Sequence, residues 1–134
     1  MIDLSKFHAV IVDDEILKAV AIRKALNFNR ITDVDIVSNQ EKLWGAVYAS
    51  KNGGKKVDLI VTDMQYPLTA GGRIDTEAGF KLIERMEKEQ IDIPIVICST
   101  GNYQGVTDIL GSVWYRSEEH DLGMEFKEVL GRLV

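Results

Sequence analysis

The sequence predicts a doubly wound α/β domain: five parallel strands with helices on both faces. Two observations carry this reading. Short runs rich in Val, Ile and Leu recur five times, and most are too apolar to leave one face in water. After each run, apolar residues repeat at helical spacing, wholly or in part, an alternation that builds parallel sheets through right-handed crossovers. At 134 residues the chain reads as one domain, residues 1–134, able to bury about two-thirds of the surface its unfolded form exposes.

Taken in order, residues 7–12 (Phe-His-Ala-Val-Ile-Val) form the first strand and end at Asp13, Asp14 and Glu15. Ile16, Leu17, Val20, Ile22, Ala25 and Leu26 then mark an amphipathic helix whose acidic start suits the helix dipole. Residues 34–37 give a second short strand. Ser38 and Glu41 make a capping box, Ser at the cap and Glu three later, for a helix carrying Leu43, Trp44, Val47 and Tyr48. Gly53 and Gly54 break that helix.

Residues 57–62 (Val-Asp-Leu-Ile-Val-Thr) form the central strand, which stops at Asp63. Pro67 lacks an N–H and biases Tyr66 away from helix, so the chain enters a loop there. Residues 68–75 are too polar and Gly-rich for a regular element. Asp75 or Thr76 can cap a third helix bearing Phe80, Leu82, Ile83 and Met86. Pro94 opens a fourth strand (Ile-Val-Ile-Cys) that ends at Ser99 and Thr100. The following helical signal, near residues 106–110, is weak. Val113, Trp114 and Tyr115 form a fifth strand followed by Arg116, and a last helix from about Ser117 carries Leu122, Phe126, Val129, Leu130 and Leu133.

A net charge of -5 without a basic stripe argues against nucleic acid or an anionic membrane as a direct partner. One cysteine, Cys98, cannot close an internal disulfide, so a reducing cytoplasm is the expected setting. No apolar run approaches the roughly 18 residues of a membrane span. His8 and His120 each lack a second ligand nearby in the pattern and read as structural.

Chemistry gathers at the strand ends. In a parallel sheet the carboxyl ends share one edge, so Asp13, Asp14, Asp63, Ser99, Thr100 and Arg116 converge there. Asp63 alone could equally cap a turn. Three carboxylates together repel unless a cation sits among them, and an oxygen-only ligand set that keeps waters suits Mg²⁺. A hydroxyl and a guanidinium beside that ion could bind the oxygens of a tetrahedral anion.

The run Val10-Ile11-Val12-Asp13-Asp14-Glu15, the segment around Asp63 with Pro67, and Pro94-Ile95-Val96-Ile97-Cys98-Ser99 together resemble the receiver domain of bacterial response regulators. The resemblance spans nearly the whole chain. It implies a flavodoxin-like sheet with strand order 2-1-3-4-5. It also implies that Asp63 is a phosphoacceptor attacking a phosphohistidine donor, with Mg²⁺ held by Asp14, by Asp13 through water, by Asp63 and by the backbone carbonyl of Gln65. Ser99 would turn inward onto the new phosphoryl group, with Thr100 and Arg116 beside it. Such a chain is a switch and not an enzyme beyond its own phosphorylation and dephosphorylation. Its partners would be a sensor histidine kinase or phosphotransfer protein, an output protein the sequence does not identify, and in some settings a second copy as a homodimer.

Three features depart from the family pattern. Arg116-Ser117 stands where the family carries a lysine followed by proline, and Arg and Lys are not interchangeable. The interval from Asp63 to Ser99 is longer than the family's, which enlarges the loop between the third strand and third helix. Tyr66 and Arg73 in or beside that loop are candidates for a lid or partner surface, against an idle surface insertion. The interval from Ser99 to Arg116 is shorter, so the fourth helix is expected to be short or lost. The family's aromatic switch position falls on Val113. The alternative is therefore a receiver-like binding module that works without phosphorylation. A phosphatase with an Asp nucleophile is disfavoured, because Gln65 stands where a second Asp would serve as acid–base.

Overall fold

A computed structural model describes residues 2–116 and 121–133. Five parallel strands form the sheet: β1 (His8–Val12), β2 (Asp33–Val37), β3 (Leu59–Thr62), β6 (Ile95–Ser99) and β7 (Gly111–Trp114). Their order is β2-β1-β3-β6-β7, so the expected 2-1-3-4-5 arrangement holds once a two-stranded hairpin, β4 (Tyr66–Pro67) with β5 (Ile74–Asp75), is set aside. The helices are α1 (Ile16–Phe28), α2 (Gln40–Lys51), α3 (Ala78–Lys88) and α4 (Leu122–Leu130).

Side-chain alternation along the strands divides the core in two. Ala9, Ile11, Leu59 and Val61 face one way and pack with Ile22 and Leu26 of α1 and Phe126 of α4. Val10, Val12 and Ile60 face the other way and pack with Leu43 and Trp44 of α2 and Leu82 of α3. Both faces are covered, which is why the strands read as continuous apolar runs. Cys98 lies in the first cluster, and burial pushes its thiol up to about 12, so it is a small core side chain.

Several local expectations are corrected. Ile16 and Leu17 are 76% and 86% exposed, whereas Lys18 is 3% exposed, so the buried stripe of α1 runs Lys18, Ala19, Ile22, Ala25 and Leu26. The apolar pair at the start of the helix disguised this phase. The cap of α2 is Asn39, not Ser38: its side chain accepts the Lys42 N–H at 2.9 Å. Residues 68–75 do contain regular structure, because their last two residues pair antiparallel with Tyr66 and Pro67. Asp75 does not cap α3 directly; its carboxylate accepts the Glu77 N–H at 2.8 Å in the turn before it. No helix forms among residues 102–110, as the shortened interval implied. The expected start of the last helix at Ser117, and His120, fall outside the described residues. His8 is structural: its ring nitrogens lie 3.0 Å from the Lys56 carbonyl and 2.7 Å from an Asp35 carboxylate oxygen. Among the described residues, no helix is long and apolar enough to cross a membrane.

Helix α3 begins hard against the end of β3. Gly79 donates its N–H to the Met64 carbonyl at 3.1 Å. A Cβ there would stand 2.9 Å from the Asp63 carbonyl oxygen and 3.0 Å from Met64 Cα, and would also meet the Met64 sulfur. Overpacking against backbone costs about 1–3 kcal/mol, whereas replacing a helical Gly by Ala returns about 1 kcal/mol. Gly79→Ala should therefore lower the urea midpoint with an unchanged m-value, and an unchanged or raised midpoint would show that this approach is not tight.

Candidate phosphoryl and metal site

The site forms where β1 and β3 end side by side. Val12 is in register with Val37 on one side and Thr62 on the other. The ladder extends one residue further, with Asp13 N–H donating to the Val37 carbonyl and Asp63 N–H to the Val12 carbonyl, each at 3.0 Å. Alternation along the strands then gives Asp13 and Asp63 the parity of Ile11 and Val61, the side covered by α1. Lys18 meets them from that helix. Its ammonium lies 3.0 Å from Asp13 Oδ2 and 3.1 Å from Asp63 Oδ2.

The second oxygen of each carboxylate is also held. Asp13 Oδ1 accepts the Glu15 N–H at 2.9 Å, and Asp63 Oδ1 accepts the Met64 N–H at 2.7 Å. Burial disfavours a charged ammonium, but attraction and hydrogen bonding to Asp13 and Asp63 outweigh it and hold Lys18 above the ordinary lysine value. The Tyr115 ring lies on its far side, 5.9 Å from Nζ to centroid.

Asp63 and Asp14 open into a cleft of about 400 Å³ lined also by Gln65, Ile74, Ser99, Thr100 and Tyr103. Asp13, Asp14 and Asp63 each place one carboxylate oxygen within 4.8 Å of the others. Three carboxylates and one ammonium leave two uncompensated negative charges, which suits one hard divalent cation. The donor set therefore fits Mg²⁺, with Asp14 and Asp63 on the open side and Asp13 turned to Lys18.

A buried polar chain supports Asp63 from behind. The Thr62 hydroxyl donates to the Asp63 carbonyl at 2.6 Å and lies 3.0 Å from the Tyr66 hydroxyl. Because the Thr62 proton is already used, Tyr66 donates to Thr62. Gln40 Nε2 in turn donates to the Tyr66 oxygen at 3.3 Å and to the Ala78 carbonyl at 2.9 Å, while Trp44 Nε1–H donates to Gln40 Oε1 at 3.1 Å. Burial pushes the Tyr66 phenol up to about 12.

The structure brings Asp14, Asp63, Gln65, Ser99 and Thr100 to one cleft, with Asp13 directly behind it. It does not bring Arg116, whose guanidinium lies 3.3 Å from Glu125 Oε1 and stacks 4.6 Å over the Trp114 ring. Tyr66 is no lid: it is fully buried with α2 and α3. Arg73 is exposed between β4 and β5 and does not line the cleft; Ile74 beside it does. Ser99 Oγ accepts the Gly101 N–H at 3.3 Å, and Trp114 Nε1–H donates to the Thr100 carbonyl at 2.9 Å, fixing the loop after β6. Val113 is buried in the core. Sequence reasoning missed Lys18, although a lysine at the spacing of Ile22 and Leu26 was the signal for it.

No protein-family profile matches the chain, and no curated protein matches it by sequence. Solved structures do. RcsB from Salmonella enterica serovar Typhimurium, bound to promoter rprA with the phosphomimetic BeF3-, matches with a TM-score of 0.66 and 19% identity over 94% of this chain. The match covers 62% of the RcsB chain, so this chain spans less than two-thirds of that protein. The orphan response regulator HP1043 of H. pylori gives 0.65 and 14% identity, covering 97% of this chain and 98% of its own. A LuxR-family DNA-binding response regulator from Staphylococcus aureus gives 0.61 and 16% identity, covering 95% of this chain and 98% of its own. The chain has the receiver fold of response regulators.

Tyr66→Phe removes the middle link of the polar chain and leaves Thr62 one acceptor bond short. It should cost about 1 kcal/mol, read as a lower urea midpoint; a midpoint equal to wild type would mean the chain contributes nothing net.

Proposed function

We propose that this chain is a phosphorylation-switched receiver that accepts a phosphoryl group on Asp63 and changes its affinity for a partner. The observation that carries the reading is the strand-end carboxylate cluster opening into a cleft that also holds a hydroxyl, Ser99. A carboxylate oxygen of Asp63 attacks phosphorus in line; the O–P bond forms as the donor's P–N bond breaks, and the leaving imidazole takes up a proton. Bound Mg²⁺ would neutralise charge on the carboxylates and the transferring group. Asp14, Asp63 and the Gln65 carbonyl would hold it. Ser99 would give up the Gly101 N–H contact and donate its hydroxyl to a phosphoryl oxygen, biasing the loop tied to Trp114. The donor would be a sensor histidine kinase or a phosphotransfer protein. The chain would otherwise have no turnover beyond loss of its own phosphoryl group.

One observation favours a second reading, a module that binds its partner without phosphorylation: Arg116 faces Glu125 and not the cleft. Intact-mass measurement after incubation with acetyl phosphate and Mg²⁺ separates the two. One added phosphoryl group is expected in wild type, none in Asp63→Asn and none when Mg²⁺ is removed by chelation. Wild-type protein that binds no Mg²⁺ and gains no mass would favour docking alone.

A further inference from the structure

A buried lysine is an expensive residue, and at position 18 it replaces a side chain that would complete the apolar stripe of α1. The residue before it makes the point: Leu17 lies in water and Lys18 in the core. A buried ammonium persists only where opposite charges hold it. Lys18 has two such partners, and one of them is the reactive carboxylate of Asp63.

We propose that Lys18, delivered from α1, is the cation that steadies the Asp63 carboxylate and then binds an oxygen of the phosphoryl group placed on it. This rests on the phosphoacceptor reading of Asp63. Phosphorylation turns a carboxylate of one negative charge into an acyl phosphate carrying about two. The ammonium lies 3.1 Å from Asp63 Oδ2, within reach of that new charge. It stays protonated throughout and re-aims one N–H from Asp63 Oδ2 to a phosphoryl oxygen, while Asp13 keeps hold of the other side. No proton or electron leaves the residue. Arg116, paired with Glu125 and stacked on Trp114, takes no part.

A merely structural Lys18 would neutralise buried charge and do nothing more. The two roles differ in how rate and metal affinity move. Removing the ammonium leaves the carboxylates more negative, so Lys18→Met should bind Mg²⁺ at least as tightly as wild type. If Lys18 serves the phosphoryl group, transfer from acetyl phosphate at saturating Mg²⁺ should nonetheless slow by about 100-fold, the scale of losing one preorganised donor. Lys18→Gln, which keeps hydrogen-bond donors without the charge, serves if Lys18→Met does not fold and should also be slow. Arg116→Ala should react at the wild-type rate. Either folded Lys18 variant phosphorylated as fast as wild type at saturating Mg²⁺ would overturn this inference and leave the proposed function standing. Wild-type protein that binds no Mg²⁺ and gains no phosphoryl group would overturn the proposed function, and this inference with it.

Discussion

A lysine ammonium held between two carboxylates at the ends of adjacent strands is the constraint on which the site depends. Parallel pairing of β1 with β3 forces Asp13 and Asp63 together on the same side of the sheet. Two carboxylates with oxygens within 4.8 Å of each other repel, and that repulsion favours the neutral form unless a cation lies between them. Lys18 sets a positive charge between the two, with Asp13 buried behind it and Asp63 and Asp14 at the cleft. The arrangement is local in its cause: strand alternation fixes which side the acids face, and α1 is the helix that covers that side.

The remaining architecture serves to keep these strand ends fixed. The two halves of the core, divided by the same alternation, grip the sheet from both faces. Gly79 brings α3 against the backbone that follows Asp63. The chain of hydrogen bonds from Trp44 through Gln40 and Tyr66 to Thr62 ties α2 to the Asp63 carbonyl. The insertion after β3 is part of this support at its two ends, with Tyr66 in the core and Asp75 ordering the turn into α3.

The sheet was legible in the sequence because buried strands are continuous apolar runs and the βα alternation leaves few topologies. The acidic cluster was legible because strand ends in such a sheet must meet. What the sequence hid has specific physical causes. Ile16 and Leu17 gave α1 a false phase, since apolar side chains on the surface carry little penalty and so do not report burial. Lys18 was passed over because a lysine is read as exposed unless its partners are known, and its second partner is distant in sequence. Arg116 was expected in the site from its position after β7, but a long side chain can turn to a nearer anion and an aromatic face, and here it does both. The hairpin was missed because two-residue strands have no periodicity to detect, and Tyr66 was taken for a surface residue because its loop is polar.

Lys18 and its first partner, Asp13, are neighbours along the chain as well as in space. Bringing them together closes only a short loop, at small entropic cost, whereas Asp63 must be brought from far along the sequence. Contacts of short sequence separation can form early in folding, before long-range strand pairing. The first strand–turn–helix unit can thus carry its cation already seated against one carboxylate, and β3 then docks Asp63 against a charge that is in place to receive it. The least tolerable step of assembly, burying one acid beside another, is met in advance by the segment that creates the problem.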